Sequence, residues 1–386
     1  MITLCMYFLL HFLLCLIFVV PALYYFVFAV AGKSLSAAKN IPSRQSRFCV
    51  IIPAYRSDSY IMPTVQAALN QKYPSDKFRV MVISDGMQKS SVENILHSGA
   101  EVLEVAFANS TKAASLAAAM DYLGRDAGDY VVILDSDNIV EPDFLCEINA
   151  VLDGRRIAVQ GHRCAKNADT PVAVADGIFE QVNNLVFRAG HCALGLSSAL
   201  IGSGMAFPYD WFRGCARDFE TAGEDKEMEL RLLMDGVFVE YAPHIHIFDE
   251  KTRSITNLQK QRRRWLHSQY ALIVNAIADF PFAKFKAGYA DKLLQWLFIP
   301  RILLITGLPL LAILSIFTSS IWWLYLLATI MLFAAICLGL PAGVKIKDLA
   351  PVFNQVPAMA LATLRNIFGK KTASDEFIHT DHENSN

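Results

Sequence analysis

The chain has 386 residues, 54% of them hydrophobic and 18% charged, whereas an ordinary soluble domain carries about a quarter charged residues. Its formal net charge is −1, so no global field draws it toward nucleic acid. These values exclude disorder, a collagen-like repeat and a purely soluble enzyme.

In chain order, the first feature is an apolar run. Residues 4 to 32 contain no Asp, Glu, Lys or Arg, and about 20 apolar residues are enough for a helix to cross a bilayer core. The run is too long for the apolar part of a signal peptide and has no basic segment before it, so it reads as a retained anchor. Lys33, Lys39, Arg44 and Arg47 follow directly. By the positive-inside rule the central domain then faces the cytoplasm, on a plasma (inner) membrane.

From residue 48 onward, β-branched runs alternate with helical stretches. FCVIIPAY (48–55) and FRVMVISD (78–85) read as strands, with a helix near 61–72 between them that carries Pro63 in its first turn. A third strand is expected near 100–105, a helix over Lys112 to Leu123, and a strand over Tyr130 to Leu134. Such alternation predicts an α/β fold whose mostly parallel sheet is covered on both faces. Ligands of such sheets bind beyond the carboxyl ends of the strands. Asp85, followed by Gly86, ends one of these strands, and Asp135 and Asp137 end another in VVILDSDN.

Residues two apart in extended chain point the same way, so both carboxylates of D-S-D can face one ligand. Paired hard oxygen donors suit Mg²⁺ or Mn²⁺ bound together with substrate phosphates. The competing reading is an ordinary turn, since Asp and Asn are common after strands. Farther on, Gly202-Ser203-Gly204 is a turn where backbone can approach a ligand. GEDKEMELRLLMDG (223–236) reads as a helix led by Glu224 and Asp225, residues that are also ordinary at a helix start. His244 and His246 alternate along YAPHIHIF and are read as packing residues. QKQRRRWLHSQYALIVNAI (259–277) is a basic amphipathic helix at a bilayer surface. It either anchors to headgroups only, or brings Gln261, Arg264 and Trp265 into a site, Arg264 on phosphate and Trp265 on a sugar ring.

Between Lys292 and Lys345 the only charged residue is Arg301, which leaves room for two spans joined at Thr318-Ser319-Ser320. Lys345, Lys347, Arg365, Lys370 and Lys371 then lie inside, and 348–367 reads as an interfacial helix, with a fourth span as the alternative. The eight cysteines, at 5, 15, 49, 146, 164, 192, 215 and 337, form no C-x-x-C pair. That fits a reduced compartment better than a disulfide framework or a zinc site.

Taken as a series, PAYR, SDG, TKAASLAAAM, DSD, GSGMAF, GED and QRRRW resemble the membrane-bound family 2 glycosyltransferases, the group of cellulose, chitin and hyaluronan synthases. The likeness runs from about Val50 to Trp265. It implies a GT-A fold and inverting transfer of a sugar from a nucleotide donor, usually a UDP-sugar, with Mg²⁺ or Mn²⁺. On the matching positions, it implies that Tyr55, Asp85 and Lys112 hold the nucleotide, Asp135 the nucleoside and Asp137 the metal ion, with both aspartates at the metal site. Asp225 would be the catalytic base. Gly204, Glu224, Gln261, Arg264 and Trp265 would lie by the diphosphate and acceptor. Arg56-Ser57 stand where family members often carry Asn-Glu, and the terminal FIHTDH is similar to a tail motif of bacterial relatives.

The expected organisation is an anchor (1–33), a cytosolic GT-A domain (34–257), a basic interfacial region with Q-x-x-R-W (258–291), a pair of spans (292–344) and a cytosolic amphipathic segment with a polar tail (345–386). Expected partners are a nucleotide sugar, a glycan or lipid-linked acceptor and the lipid bilayer, without nucleic acid. Oligomers are possible. A processive synthase that translocates its product, and a non-catalytic scaffold of the same fold, are the alternatives.

Overall fold

The computed structural model describes residues 2–36, 42–219, 221, 223–278, 287–341, 344 and 346–368. Lys39, Lys345, Lys370, Lys371 and the FIHTDH tail lie outside these, as does the side chain of Arg264.

The amino-terminal run winds as α1 (Ile2–Leu14), a π-helical turn (Cys15–Val19) and α2 (Val20–Gly32). The central fold then follows as β1 (Phe48–Tyr55), α3 (Ile61–Leu69), β2 (Phe78–Asp85), α4 (Lys89–His97), β3 (Glu101–Val105), α5 (Lys112–Leu123) and β4 (Tyr130–Ile133). Next come β5 (Ile139–Val140), α6 (Phe144–Leu152), β6 (Ala158–Ala165), α7 (Pro171–Asn183), a π-helical segment (Asn184–Gly190) and α8 (His191–Ala193). The remaining elements are β7 (Met205–Pro208), α9 (Tyr209–Cys215), α10 (Glu224–Asp235), β8 (Val239–Asp249), α11 (Ile255–Ala278), α12 (Ala287–Leu297), α13 (Arg301–Ser315), α14 (Trp322–Leu338) and α15 (Ile346–Phe368).

The eight strands form one sheet in the order β3-β2-β1-β4-β7-β6-β8-β5. Side chains alternate across a strand, and here that alternation feeds two cores. Phe48, Val50 and Ile52 of β1, Val80 and Val82 of β2, and Val132 of β4 pack with Ile61 and Val65 of α3 and Phe144 and Ile148 of α6. Cys49, Ile51, Met81, Ile83, Val131 and Ile133 point the other way, onto Leu116 and Met120 of α5, Phe212 of α9 and Met228 and Leu232 of α10. Burial on both faces explains why these strands read as continuous apolar runs.

The sheet is mixed: six of its eight strands run in one direction, and β7 and β5 run against them. β1, β2, β3 and β4 are parallel neighbours, but β7 runs antiparallel to both β4 and β6, and β5 antiparallel to β8. Met205–Pro208 enters directly after Gly202-Ser203-Gly204 and lies antiparallel between β4 and β6.

The apolar ends meet over a separate core. Ala22, Tyr25 and Ala29 of α2, Leu304 and Leu308 of α13, and Leu332 and Ala335 of α14 pack with Val182 and Val186 of the α7–π segment. Backbones come close here. A Cβ on Gly190 would sit 2.2 Å from the Phe28 carbonyl oxygen, and one on Gly32 2.5 Å from that of Leu185. Among the described residues, Cys5–Gly32 is the one single helix long and apolar enough to cross a bilayer. At 28 residues it is about 42 Å long. The two spans expected in 292–344 are not met in length: α13 has 15 residues and α14 has 17, against the usual ~20. α12 and α13 reach that length only as a pair bent by 68°. The helix expected over 348–367 forms as α15, seated on α11, α13 and α7.

Candidate active site

β1, β2 and β4 end side by side, and beyond their carboxyl ends opens a cavity of about 620 Å³. Tyr55 and Asp85, register partners at the ends of β1 and β2, stand on its rim. Arg56, forced to a φ of 47°, donates its N–H to the Asp85 carbonyl at 3.0 Å, and its guanidinium lies 5.2 Å from the centre of the Tyr55 ring. The Asp85 carboxyl is buried, and its Oδ2 has no hydrogen-bond partner among the described residues. An acceptor left so inside a cavity costs free energy unless a ligand donates to it.

The D-S-D turn is held open from behind. Asp135 N–H donates to Asn138 Oδ1 and Ser203 Oγ, each at 3.1 Å, and Ser203 Oγ donates to Asn138 Oδ1. Gly202 and Gly204, at φ 80° and 62°, let the chain turn so that Ser203 reaches this bond. Gly202 lines the cavity, whereas Gly204 is taken into the sheet, its N–H on Ile133 O and its carbonyl accepting from Gly161, both at 2.9 Å.

Lys112 begins α5, which Thr111 caps by accepting from Ala114 N–H at 3.1 Å. Its Nζ donates to Asp135 Oδ1 and to Gly202 O at 2.6 Å, and lies 3.8 Å from Glu224 Oε1. Burial works against its charge, yet Asp135 and Glu224 hold its pKa above the usual lysine value. Glu224 and Asp225 enter from the first turn of α10. Burial pushes the Glu224 carboxyl up to about 7, with Lys112 opposing and Asp225 adding to the rise. Asp137 also rises to about 7, from burial and the charges of Asp249 and Asp135. Gln261 and Trp265 reach the same cavity from α11.

Tyr55, Asp85, Lys112, Asp135, Asp137, Glu224, Asp225, Gln261 and Trp265 therefore share one cavity; Gly204 does not line it. Sequence reasoning missed a strip of charges along its far side. Arg163 pairs with Asp249 at 2.6 Å, Lys251 with Asp249 at 2.9 Å and Glu180 at 3.7 Å, and Arg188 with Glu180 at 2.9 Å. Asp249 ends β8 as Asp85 ends β2, so the same strand-end signal marks it. Asn183, Phe187, Gln269, Gln295 and Trp296 complete the far end.

Among the described residues no group of three or more His, Cys, Asp or Glu side chains is arranged for a metal ion. Asp135 and Asp137 alone fit a divalent cation that takes its remaining oxygens from phosphates and water. Burial and the charges of Asp249 and Asp135 disfavour an ionised Asp137 while Arg163 favours it, and a cation bound there would add to the favourable side.

The profile of the family described as "Glycosyltransferase like family 2" matches residues 45–268. An N-acetylglucosaminyltransferase of Mesorhizobium japonicum is 24% identical over 237 residues, 57% of this chain and 55% of that protein. An uncharacterized glycosyltransferase of Haemophilus influenzae is 28% identical over 117 residues, 29% of this chain and 45% of that protein. The chain thus spans about half the length of the curated relatives it matches. Among solved structures, the mannosyltransferase PcManGT from Pyrobaculum calidifontis, in complex with GDP-Man and Mn²⁺, superposes with a TM-score of 0.58 at 17% identity, over 91% of this chain and 95% of that one. At that identity the likeness speaks for the GT-A-like fold. With the profile spanning more than half of its length, the chain belongs to the family 2-like glycosyltransferases.

Proposed function

We propose that this enzyme is held at a membrane and moves a sugar, with inversion, from a nucleoside diphosphate donor of the UDP-sugar class to a glycan or lipid-linked acceptor. One observation carries the reading: Asp85, Lys112, Asp135, Asp137 and Asp225, spread over 141 positions of sequence (85 to 225, counted inclusively), line a single cavity. The N-acetylglucosaminyl and mannosyl names of the relatives support a hexosyl donor.

The unpartnered Asp85 Oδ2 suits an N–H on the edge of a base such as uracil, and Tyr55 stands beside it. Lys112 faces the diphosphate. Asp135 and Asp137 would hold Mg²⁺ or Mn²⁺, which supplies positive charge to the phosphates. Asp225 takes the proton of the acceptor hydroxyl as its oxygen bonds to the anomeric carbon. The bond from that carbon to the diphosphate breaks on the opposite face, and its electron pair leaves with the diphosphate oxygen. A positioned base contributes about 10²–10⁴-fold. Trp265, 43% exposed, offers a ring face to the acceptor sugar, with Gln261 and Glu224 alongside. Arg264, on the same helix, would serve the phosphates. The carboxamides of Asn183, Gln269 and Gln295 and the rings of Phe187 and Trp296 suit further sugar hydroxyls and ring faces.

In this reading Cys5–Gly32 anchors the chain, and Lys33, Arg44 and Arg47 keep the catalytic domain cytoplasmic. Asp225→Asn should lower transfer at least about 100-fold while UDP binding and membrane extraction stay as in the wild type. Wild-type turnover in this variant would remove Asp225 from the role of base.

A further inference from the structure

α12 is short, yet it carries three unlike contacts within six residues. Asp291 accepts from Tyr24 Oη of α2 at 2.7 Å and lies 3.1 Å from His191 Nε2. Lys292, next in line, points to α10. Gln295 and Trp296 line the cavity, and Trp296 O accepts from Gln269 at 2.6 Å.

Lys292 is 2% exposed, and its Nζ lies 3.3 Å from Glu229 Oε2, an ion-pair distance without an aligned hydrogen bond. Glu229 is buried as well, and its Oε1 accepts from Leu200 N–H at 2.6 Å. A lysine and a glutamate are almost never buried unless paired, so each of the two needs the other. The pairing also fixes a register. A Cβ on Gly288 would stand 3.0 Å from Leu233 Cδ2, and four residues on, Lys292 meets Glu229, four residues back along α10. The two helices are therefore antiparallel neighbours. One turn further along each helix, Gln295 and Trp296 of α12 and Asp225 of α10 all line the cavity.

We infer that Glu229 and Lys292 are positioning residues for sugar transfer: their buried pair pins α10 to α12 and so holds Asp225 and Trp296 at one cavity. Through Leu200 the same carboxylate fixes the start of the loop whose Gly202 carbonyl receives Lys112. Neither residue touches the donor or acceptor. The inference rests on the reading of Asp225 as the base.

The test uses the full chain in detergent, with Glu229→Gln, Lys292→Met, the double variant and Asp225→Asn side by side. Three readouts are taken: turnover of the nucleotide sugar that the wild type consumes, UDP affinity, and Tm. Each single variant should lower kcat about 10- to 100-fold, the scale of a reacting group displaced by an ångström, with the donor KM within about three-fold. Glu229→Gln keeps the acceptor for Leu200 N–H, so its loss reports the charge pair. The double variant buries no unpaired charge, and it should recover the Tm lost by Lys292→Met without recovering kcat. A purely structural pair would instead show kcat returning together with Tm. A double variant turning over within three-fold of wild type, while Asp225→Asn is inactive, overturns the inference and leaves the base assignment standing. An active Asp225→Asn overturns both.

Discussion

Lys112→Met removes a cation that joins three parts of the site. Its Nζ bonds Asp135 and Gly202 O and stands 3.8 Å from Glu224, with side-chain exposures of 19%, 32% and 11% for Lys112, Asp135 and Glu224. A hydrogen bond to a charged group is worth about 1.5–3 kcal/mol. One such bond to a carboxylate, one to a carbonyl and the weaker attraction to Glu224 together come to about 3 kcal/mol, because Asp135 is partly solvated. In the proposed role at the donor diphosphate, one further charge-assisted bond of about 1.5–3 kcal/mol is lost, so UDP should bind about 10- to 100-fold more weakly, at about 1.4 kcal/mol per factor of ten. The pH dependence has a definite sign. Glu224 is raised to about 7, so its folded form holds a proton more tightly than the unfolded chain, and its protonation favours folding in acid. That stability is lost as pH rises from about 4.5 through 7. The variant leaves Glu224 without its cation, so its Tm deficit should be smaller at pH 5.5 than at pH 8, the bonds to Asp135 and Gly202 O being lost at both. Calorimetric UDP titration and thermal unfolding at the two pH values measure both effects. Equal deficits at the two pH values, or UDP affinity within two-fold of wild type, would refute the argument.

Two further outcomes follow from the same geometry. Mn²⁺ added to the nucleotide-free protein should raise Tm by several degrees, and Asp137→Asn should abolish that rise; an undiminished rise in the variant would place the cation elsewhere. Gly190→Ala puts a Cβ 2.2 Å from a backbone oxygen that a side-chain rotation cannot relieve. It should cost at least about 1–3 kcal/mol, seen as a lower Tm and faster inactivation in detergent, and an unchanged Tm would mean that α2 shifts freely.

The parts of this fold that could be read from the amino acids are those whose cause is local. Phe48–Tyr55, Phe78–Asp85 and Lys112–Leu123 form at the predicted positions, because apolar runs bounded by turn residues, and an Ala-rich stretch behind a Thr cap, each specify themselves. The helix expected to reach residue 72 stops at Leu69, before Asn70 and Pro74. The aspartates at strand ends were legible for the same local reason, though their meeting in one cavity comes from sheet order. What stayed hidden is non-local. β6 pairs parallel with β8, more than 70 residues later, and this brings Arg163 to Asp249. Neither AVQGHRCA nor the KTR after β8 signals that contact. The pair Glu229–Lys292 was equally silent, since each residue reads as an exposed helix charge until the partner helix arrives.

The π-helical segment Asn184–Gly190 has two clients. Phe187 and Arg188 open onto the reaction cavity, while Leu185 and Gly190 meet the backbone of the amino-terminal helix. Its wider winding accommodates an extra residue, and that residue sets the phase between the two faces. Deleting one residue of 181–183 while the wider winding stays would swing every later side chain by about 100°, turning Arg188 away from Glu180 and His191 away from Asp291. Chamber and anchor therefore share a single angular setting, and neither can be re-indexed without the other.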